Sequence, residues 1–117
     1  MRIFVCVKQV PDTTEIKIDP VTNTLIRNGV PSIVNPFDGY ALEAAARIKD
    51  KHPDTRIIVL SMGPEQAKNA LKECLGIAAD KAYLISGRAF GGSDTLATSY
   101  ILSCAIKKVA ELEGGFD

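Results

Sequence analysis

The sequence predicts an α/β fold built on a parallel sheet, and three observations predict it. Short apolar runs rich in β-forming residues occur at residues 3–7, 56–61 and 82–85, as in strands covered on both faces. Each run is followed by a segment with apolar residues at helical spacing. Each such segment opens on Pro, Gly or a short polar residue, which are helix-starting residues. This alternation makes a parallel sheet with crossover helices and gathers a ligand site at the carboxyl ends of the strands.

The first strand, Ile3-Phe4-Val5-Cys6-Val7, is broken by Gln9-Val10-Pro11-Asp12, because Pro11 lacks a ladder donor. Ile16-Lys17-Ile18-Asp19 and Thr24-Leu25-Ile26-Arg27 then alternate around Pro20-Val21-Thr22-Asn23. They predict a small β-hairpin, with an Asn28-Gly29 turn after it.

The first helix has a strong start: Asn35 as cap, Pro36 at the first helical position and Asp38 three residues after the cap. Its expected apolar face is Ala41, Leu42, Ala44, Ala45 and Ile48, with Glu43, Arg47, Lys49 and Lys51 outside, and His52-Pro53-Asp54 ends it. After the second strand, Gly63-Pro64-Glu65 opens a helix with Ala67, Ala70, Leu71, Cys74 and Leu75 on one face and Gly76 as its cap. After the third strand and the loop at residues 87–92, Ser93 or Asp94 caps the last helix. Its expected face is Leu96, Ala97, Tyr100, Ile101, Cys104, Ala105 and Val109. Gly114-Gly115-Phe116-Asp117 follows where another strand is due. The expectation is three core strands with crossover helices plus a hairpin, truncated before the fourth core strand: residues 1–117 as the N-terminal part of a single α/β domain.

Composition narrows the function. An apolar share of 46% with 24% charged residues is ordinary for a soluble globular protein. Basic and acidic residues balance at 14 each, so no global field favours nucleic acid or an anionic membrane. No apolar run approaches the roughly 20 residues that span a bilayer, and residues 1–8 do not form a signal peptide. Cys6, Cys74 and Cys104 are widely spaced in apolar surroundings, and His52 is the sole histidine. That pattern argues against a zinc site or a disulfide framework and reads as reduced, buried thiols in a cytoplasmic protein.

Three loops are expected to converge on one sheet end: residues 7–12, 61–64 and 86–95. Backbone groups there suit the edge of an adenine, and helix N-termini suit phosphate, although Gly and Pro at such places also serve simply as turns. The Gly91-Gly92 loop matches neither the P-loop nor the dinucleotide fingerprint, and no Gly-Lys-Ser/Thr is present to hold a triphosphate. Lys8 and Arg88 are cations near this end, each either phosphate-facing or a plain surface charge. Cys6, without a histidine partner, reads as packing rather than as a nucleophile. Asp12, Asp38 and Asp94 stand in turn or capping contexts. No catalytic triad, metal cluster or acid–base pair emerges.

Four segments resemble the beta subunit of electron transfer flavoprotein. They are Cys6-Val7-Lys8-Gln9-Val10-Pro11-Asp12-Thr13, Asn35-Pro36-Phe37-Asp38-Gly39-Tyr40-Ala41-Leu42-Glu43, Ser61-Met62-Gly63-Pro64 and Ala89-Phe90-Gly91-Gly92-Ser93-Asp94-Thr95-Leu96-Ala97-Thr98. The Val10-Pro11-Asp12 start and the 90–95 loop look closest to the anaerobic, nitrogen-fixation-associated branch, some of whose members bifurcate electrons. The resemblance implies a Rossmann-like adenine-nucleotide-binding fold with strand order 3-2-1-4-5. It implies an electron carrier rather than a conventional enzyme, pairing with an alpha subunit and serving acyl-CoA dehydrogenases or similar redox partners. It also implies AMP, or a second FAD, held by Cys6, by Asn35, Pro36, Phe37 and Asp38, and by Met62. The loop residues Phe90, Gly91, Gly92, Ser93, Asp94 and Thr95 join them by position alone.

The resemblance covers roughly the first half of that family, so the piece by itself is expected to be inactive. Without a fourth strand, residues 2–8 become an edge that other chains could pair with, which predicts a homodimer or higher oligomer. Two alternatives stay open: a stand-alone adenine-nucleotide-binding protein resembling universal stress proteins, and an inactive self-associating fragment.

Overall fold

The computed structural model describes residues 1–12, 18–25 and 31–117. Strands β1 (Arg2–Cys6), β4 (Arg56–Met62) and β5 (Lys81–Ile85) form a parallel sheet in the order β1-β4-β5. The parallel α/β class read from the sequence is therefore observed. The central strand explains why: Ile57, Ile58, Val59 and Leu60 are all 0% exposed, and alternation along the strand sends them to opposite faces. Ile57 and Val59 meet Leu42 and Ala45 of α1 (Pro36–Lys51) and Leu71 and Cys74 of α2 (Lys68–Ile77). Ile58 and Leu60 meet Val109 of α3 (Thr95–Glu113), with Phe4, Tyr83, Ile85 and Ile106 around them. Two helices thus cover one face and the third covers the other.

The sequence reading missed a second, smaller sheet. Gln9–Pro11 (β2) pairs antiparallel with Ser32–Val34 (β3), so the expected break at Pro11 is the last residue of a short strand. Of the expected hairpin, an Ile18–Leu25 antiparallel bridge is seen. Asp19 N also donates to Thr24 O at 2.8 Å, while Ile16, Lys17, Ile26, Arg27 and the Asn28-Gly29 turn lie outside the described residues.

The expected helix starts are mostly found. The Asn35 side chain accepts from the Phe37 amide at 3.2 Å with Pro36 at the first turn, and Asp94 rather than Ser93 caps α3 by accepting from Ala97 N at 2.8 Å. Three expectations need correction. On α1, Leu42 and Ala45 are buried, whereas Ala41, Ala44 and Ile48 are exposed. The helix meets the sheet along one stripe, which turns Lys49 toward Asp80 (2.6 Å). On α2, a 3-10 turn (Glu65–Ala67) precedes the helix and Gly76 lies inside it. The end falls at Ile77, where Cys74 O accepts from both Ala78 N and Ala79 N. On α3, Val109 alone is buried, while Leu96 (79%) and Tyr100 (70%) stand exposed with Ala97 and Cys104. That helix is apolar on nearly every side, and only the part over Ile58 and Leu60 finds sheet to cover.

The C-terminal residues return to β1. Gly114, at φ 86°, ends α3 in the left-handed conformation that glycine adopts freely. Phe116 then stacks on Phe4 with ring centroids 4.8 Å apart. Asp117 N donates to Arg2 O (2.9 Å), and Arg2 N donates back to Asp117 Oδ2 (2.8 Å). Met1 O accepts from Arg56 N and Val7 N donates to Leu60 O, so odd residues of β1 face β4. Even residues direct their backbone groups outward: Arg2 to the tail, Lys8 to α1, with Phe4 and Cys6 between them. Among the described residues, β1 lies at one side of the β1-β4-β5 order.

Glu113 ties α3 to the amino ends of β4 and β5. A carboxylate in the last helical turn opposes the helix dipole, yet its side chain is only 5% exposed. Tyr83 donates to it at 2.6 Å, Lys81 lies at 2.7 Å and Arg56 at 3.6 Å. The hydrogen bonds from Lys81 and Tyr83 hold its pKa below the usual carboxylate range, and the same pairing raises that of Lys81. At Asp80 burial opposes the charge, but the hydrogen bonds from Lys49 and Ile57 N outweigh it and the pKa is lowered.

The signs fix the pH profile. A depressed carboxylate contributes stability above its unfolded pKa of about 4 and loses it as pH falls through the folded value. A raised lysine contributes below about 10.4 and loses it as pH rises through the folded value. The Cys6 and Cys74 thiols, whose pKa values burial raises, likewise lose their contribution above about pH 8.5. Urea midpoints are therefore expected to be level from about pH 5 to about pH 8 and to fall on both sides, the Lys81 contribution falling last, above about pH 10. Glu113→Gln should flatten both limbs and Asp80→Asn the acid limb alone, each modestly, since solvent screens these pairs. An unchanged alkaline limb in Glu113→Gln would count against the assignment.

Candidate functional site

Parallel pairing puts the carboxyl ends of β1, β4 and β5 on one side, with Cys6 opposite Leu60 and Met62 opposite Ile85. Cys6 ends β1, Met62 ends β4, and residues 35–38 open α1 beside them. Lys8 joins these places. Its amide donates to Asp38 Oδ2 (2.8 Å), its carbonyl accepts from Asn35 N (2.8 Å), and its ammonium donates to Met62 O (2.7 Å). Gly63 N donates to Ile85 O at 3.0 Å, which brings β5 into the same network.

The residues around this network have distinct states. Asn35 and Asp38 are half-buried, whereas Pro36 and Phe37 are exposed, Phe37 meeting Tyr40 edge-on at 6.3 Å. Cys6 is exposed, which corrects the expectation of a packed thiol. The cluster under α3 reaches Phe4 on β1, and Cys6, the next residue on that side, lies beyond it. Enough protein still surrounds the thiol that burial, followed by the Asp38 charge, pushes its pKa up. It is therefore a weak nucleophile at neutral pH. Cys104 is likewise exposed, and Cys74 is buried as expected.

The loop after β5 is built differently. Phe90 leans on Gly87, where an added Cβ would come within 3.2 Å of its ring. Ser93 Oγ donates to Phe90 O (2.7 Å), Asp94 caps α3, Gly92 takes φ +73° and Thr95 begins the helix. The described hydrogen bonds of Phe90, Gly91, Ser93 and Asp94 stay within this loop or enter α3. The loop shares the sheet end with the others but is not stitched to them.

This end has hydrogen-bonding capacity to spare. Ser61 Oγ and Gln9 Oε1 are buried without a protein partner among the described residues, and each neighbours a member of the Lys8–Met62 pair in sequence. The cavity bounded by Gln9, Pro11, Ser32, Pro64 and Gln66 is only about 10 Å³, room for about one water. A ligand of nucleotide size would therefore lie across the strand ends. The outward-facing backbone of Phe4 and Cys6 on β1 suits the edge of an adenine, whereas the Lys8 ammonium is engaged by Met62 O and the Phe37, Asp38 and Gly39 amides by Asn35. Among the described residues, no group of three or more His, Cys, Asp or Glu could hold a metal ion, and no helix is long and apolar enough to cross a membrane.

The resemblance named Cys6, residues 35–38 and Met62 as expected contacts, and the reading of the residues took Lys8 for one cation among two. The signal it lacked is the reach of Lys8 across the sheet end to β4, which local spacing does not reveal.

Comparison with known proteins agrees with the motifs. The model of the electron transfer flavoprotein domain matches residues 22–113. The Caffeyl-CoA reductase-Etf complex subunit CarD of Acetobacterium woodii is 62% identical over 113 residues, 97% of this chain and 43% of that protein. Electron transfer flavoprotein subunit beta of Megasphaera elsdenii is 62% identical over 114 residues, 97% of this chain and 42% of its own length. Protein FixA of Azotobacter vinelandii is 55% identical over 111 residues, with 95% and 39% covered. The chain spans about two fifths of the length of these curated relatives.

Proposed function

We propose a function on one premise: this chain belongs to the electron transfer flavoprotein family. It acts as the N-terminal part of the adenine-nucleotide-binding domain of a beta subunit. The site takes AMP or a second FAD at Cys6, at residues 35–38 and at Met62, with residues 90–95 as an outer wall. The observation that carries this reading is the meeting of those first three places around Lys8. FAD, when bound, supplies a redox-active flavin, whereas AMP is a structural ligand. The chain's own part is to bind and orient: backbone groups of β1 and β4 meet the base, and residues 35–38 at the start of α1 bound it on the side of Lys8. The names of the Megasphaera and Acetobacterium relatives, an electron transfer flavoprotein subunit and a subunit of a caffeyl-CoA reductase complex, support electron transfer beside a partner acting on an acyl-CoA. The whole protein pairs with an alpha subunit and exchanges electrons in the cytoplasm with a partner acting on an acyl-CoA.

Titration of the purified chain with AMP and with FAD, by calorimetry and by ¹⁵N amide spectra, tests this. Saturable binding that shifts the amides of Asn35, Phe37, Met62 and Gly63 is expected. Loss of the response to both ligands, with and without a co-purified alpha subunit, overturns the reading.

Self-association is a second reading, favoured by the outward backbone of Phe4 and Cys6 on an edge strand and by the exposed Leu96 and Tyr100. Sedimentation equilibrium across a hundredfold concentration range is expected to show mass above that of one chain. A constant monomer mass removes it.

A further inference from the structure

We propose that Lys8 is the positioning residue of this site, clamping the Met62–Gly63 peptide so that the end of β4 is set against β1 and α1. The clamp is a property of the fold, while its consequence for ligand rests on the nucleotide reading above. One peptide unit is gripped from both sides. Its carbonyl, Met62 O, accepts from the Lys8 ammonium at 2.7 Å, and its amide, Gly63 N, donates to Ile85 O at 3.0 Å. The two grips come from opposite neighbours, the segment after β1 and the end of β5, across the central strand. A bond from an ammonium to a carbonyl is stronger than a neutral one, so the Lys8 side is a firm grip.

The base of the clamp is fixed as well. Asp38 and Asn35 hold the backbone of Lys8 at 2.8 Å on each side, and the side chain starts from a half-buried, anchored main chain. Gly63 keeps room at the other end: an added Cβ would lie 3.1 Å from Ala67 Cβ and 3.7 Å from Lys8 Nζ. Gly63 is not among the glycines at positive φ, so space rather than backbone conformation calls for it. A simple surface lysine needs neither an anchored main chain nor a glycine opposite its tip. Loss of the ammonium leaves the Met62–Gly63 peptide held from one side, and both faces of the adenine site then lose their common reference.

Lys8→Met and Lys8→Arg in the full chain test this, with Lys8→Gln as a further neutral variant should Met disturb folding. The probes are AMP and adenosine, and amide exchange at Gly63 is measured without ligand. In Lys8→Met, Gly63 exchange should rise about tenfold, and AMP and adenosine should weaken by the same factor of about ten. Lys8→Arg should recover most of both. Unchanged Gly63 exchange in the neutral variants overturns the clamp. Weakening of AMP alone also overturns the positioning role, because it makes Lys8 a direct phosphate contact. If the unaltered chain binds neither AMP nor adenosine, the nucleotide reading falls, and exchange at Gly63 by itself decides the clamp.

Discussion

Ile58→Ala is expected to cost about 3–4 kcal/mol of stability, a large share of the roughly 5–15 kcal/mol of an ordinary domain. Ile58 is 0% exposed at the middle of the central strand and faces α3. Three things make this face the vulnerable one. Its fully buried members are Ile58, Leu60 and Val109, whereas the α1 and α2 face also buries Val5, Val7, Leu42, Ala45, Leu71 and Cys74. Leu96 and Tyr100 add nothing to α3 docking because they point into solvent. A cavity here has one helix to collapse onto it, and Glu113, one turn beyond Val109, ties that helix down beside the cluster. Urea unfolding gives the loss, and amide exchange should show α3 opening ahead of α1 and α2. A cost below about 1 kcal/mol would mean that this cluster does not seat α3.

The same thin face explains part of what the sequence left illegible. The three core strands could be read because each is a continuous apolar run, and a strand buried on both faces has no other composition. The start of α1 was legible because the Asn35 cap, Pro36 and the first-turn charge of Asp38 are defined by local spacing alone, although the bond Asp38 makes to Lys8 is not. The stripe of α3 was not. With apolar residues at 96, 97, 100, 101, 102, 104, 105, 106 and 109, its periodicity supports several faces, and the width of the sheet beneath selects one. The β2 and β3 pair was hidden for another reason. Each strand has three residues, one includes a proline, and they meet across about twenty residues of chain. Proline is tolerated there because an edge strand leaves one side of its backbone unpaired. The candidate site follows the same division. Its members were named from motifs, whereas Lys8, which binds them together, shows its role only when strands distant in sequence are set side by side.

Asp38 is where stability and the site meet most directly, and its replacement is the second large effect. Asp38→Ala removes the acceptor of Lys8 N at 2.8 Å and the first-turn carboxylate of α1. A lost bond to a charged acceptor costs about 1.5–3 kcal/mol, and the lost helix-terminal charge adds about 0.3–1 kcal/mol. A total of about 2 kcal/mol is expected after solvent screening, together with a loss of AMP affinity, because one of the two backbone anchors of Lys8 is gone. Asp38→Asn separates the two contributions: its amide oxygen still accepts from Lys8 N, so stability should fall by less than half as much. Cys6 supplies an independent readout of the charge. Burial first and Asp38 second raise its pKa. Both variants should therefore lower that pKa equally, without restoring the ordinary value, and alkylation near pH 8 should speed up by the same factor in each. Two results would contradict this account: equal destabilisation by Ala and Asn, or an unchanged alkylation rate. The first would assign the effect to charge alone, and the second would remove Asp38 from the surroundings of Cys6. The joint pattern, unequal stabilities with equal thiol rates, is what a carboxylate bonded to Lys8 and facing Cys6 requires.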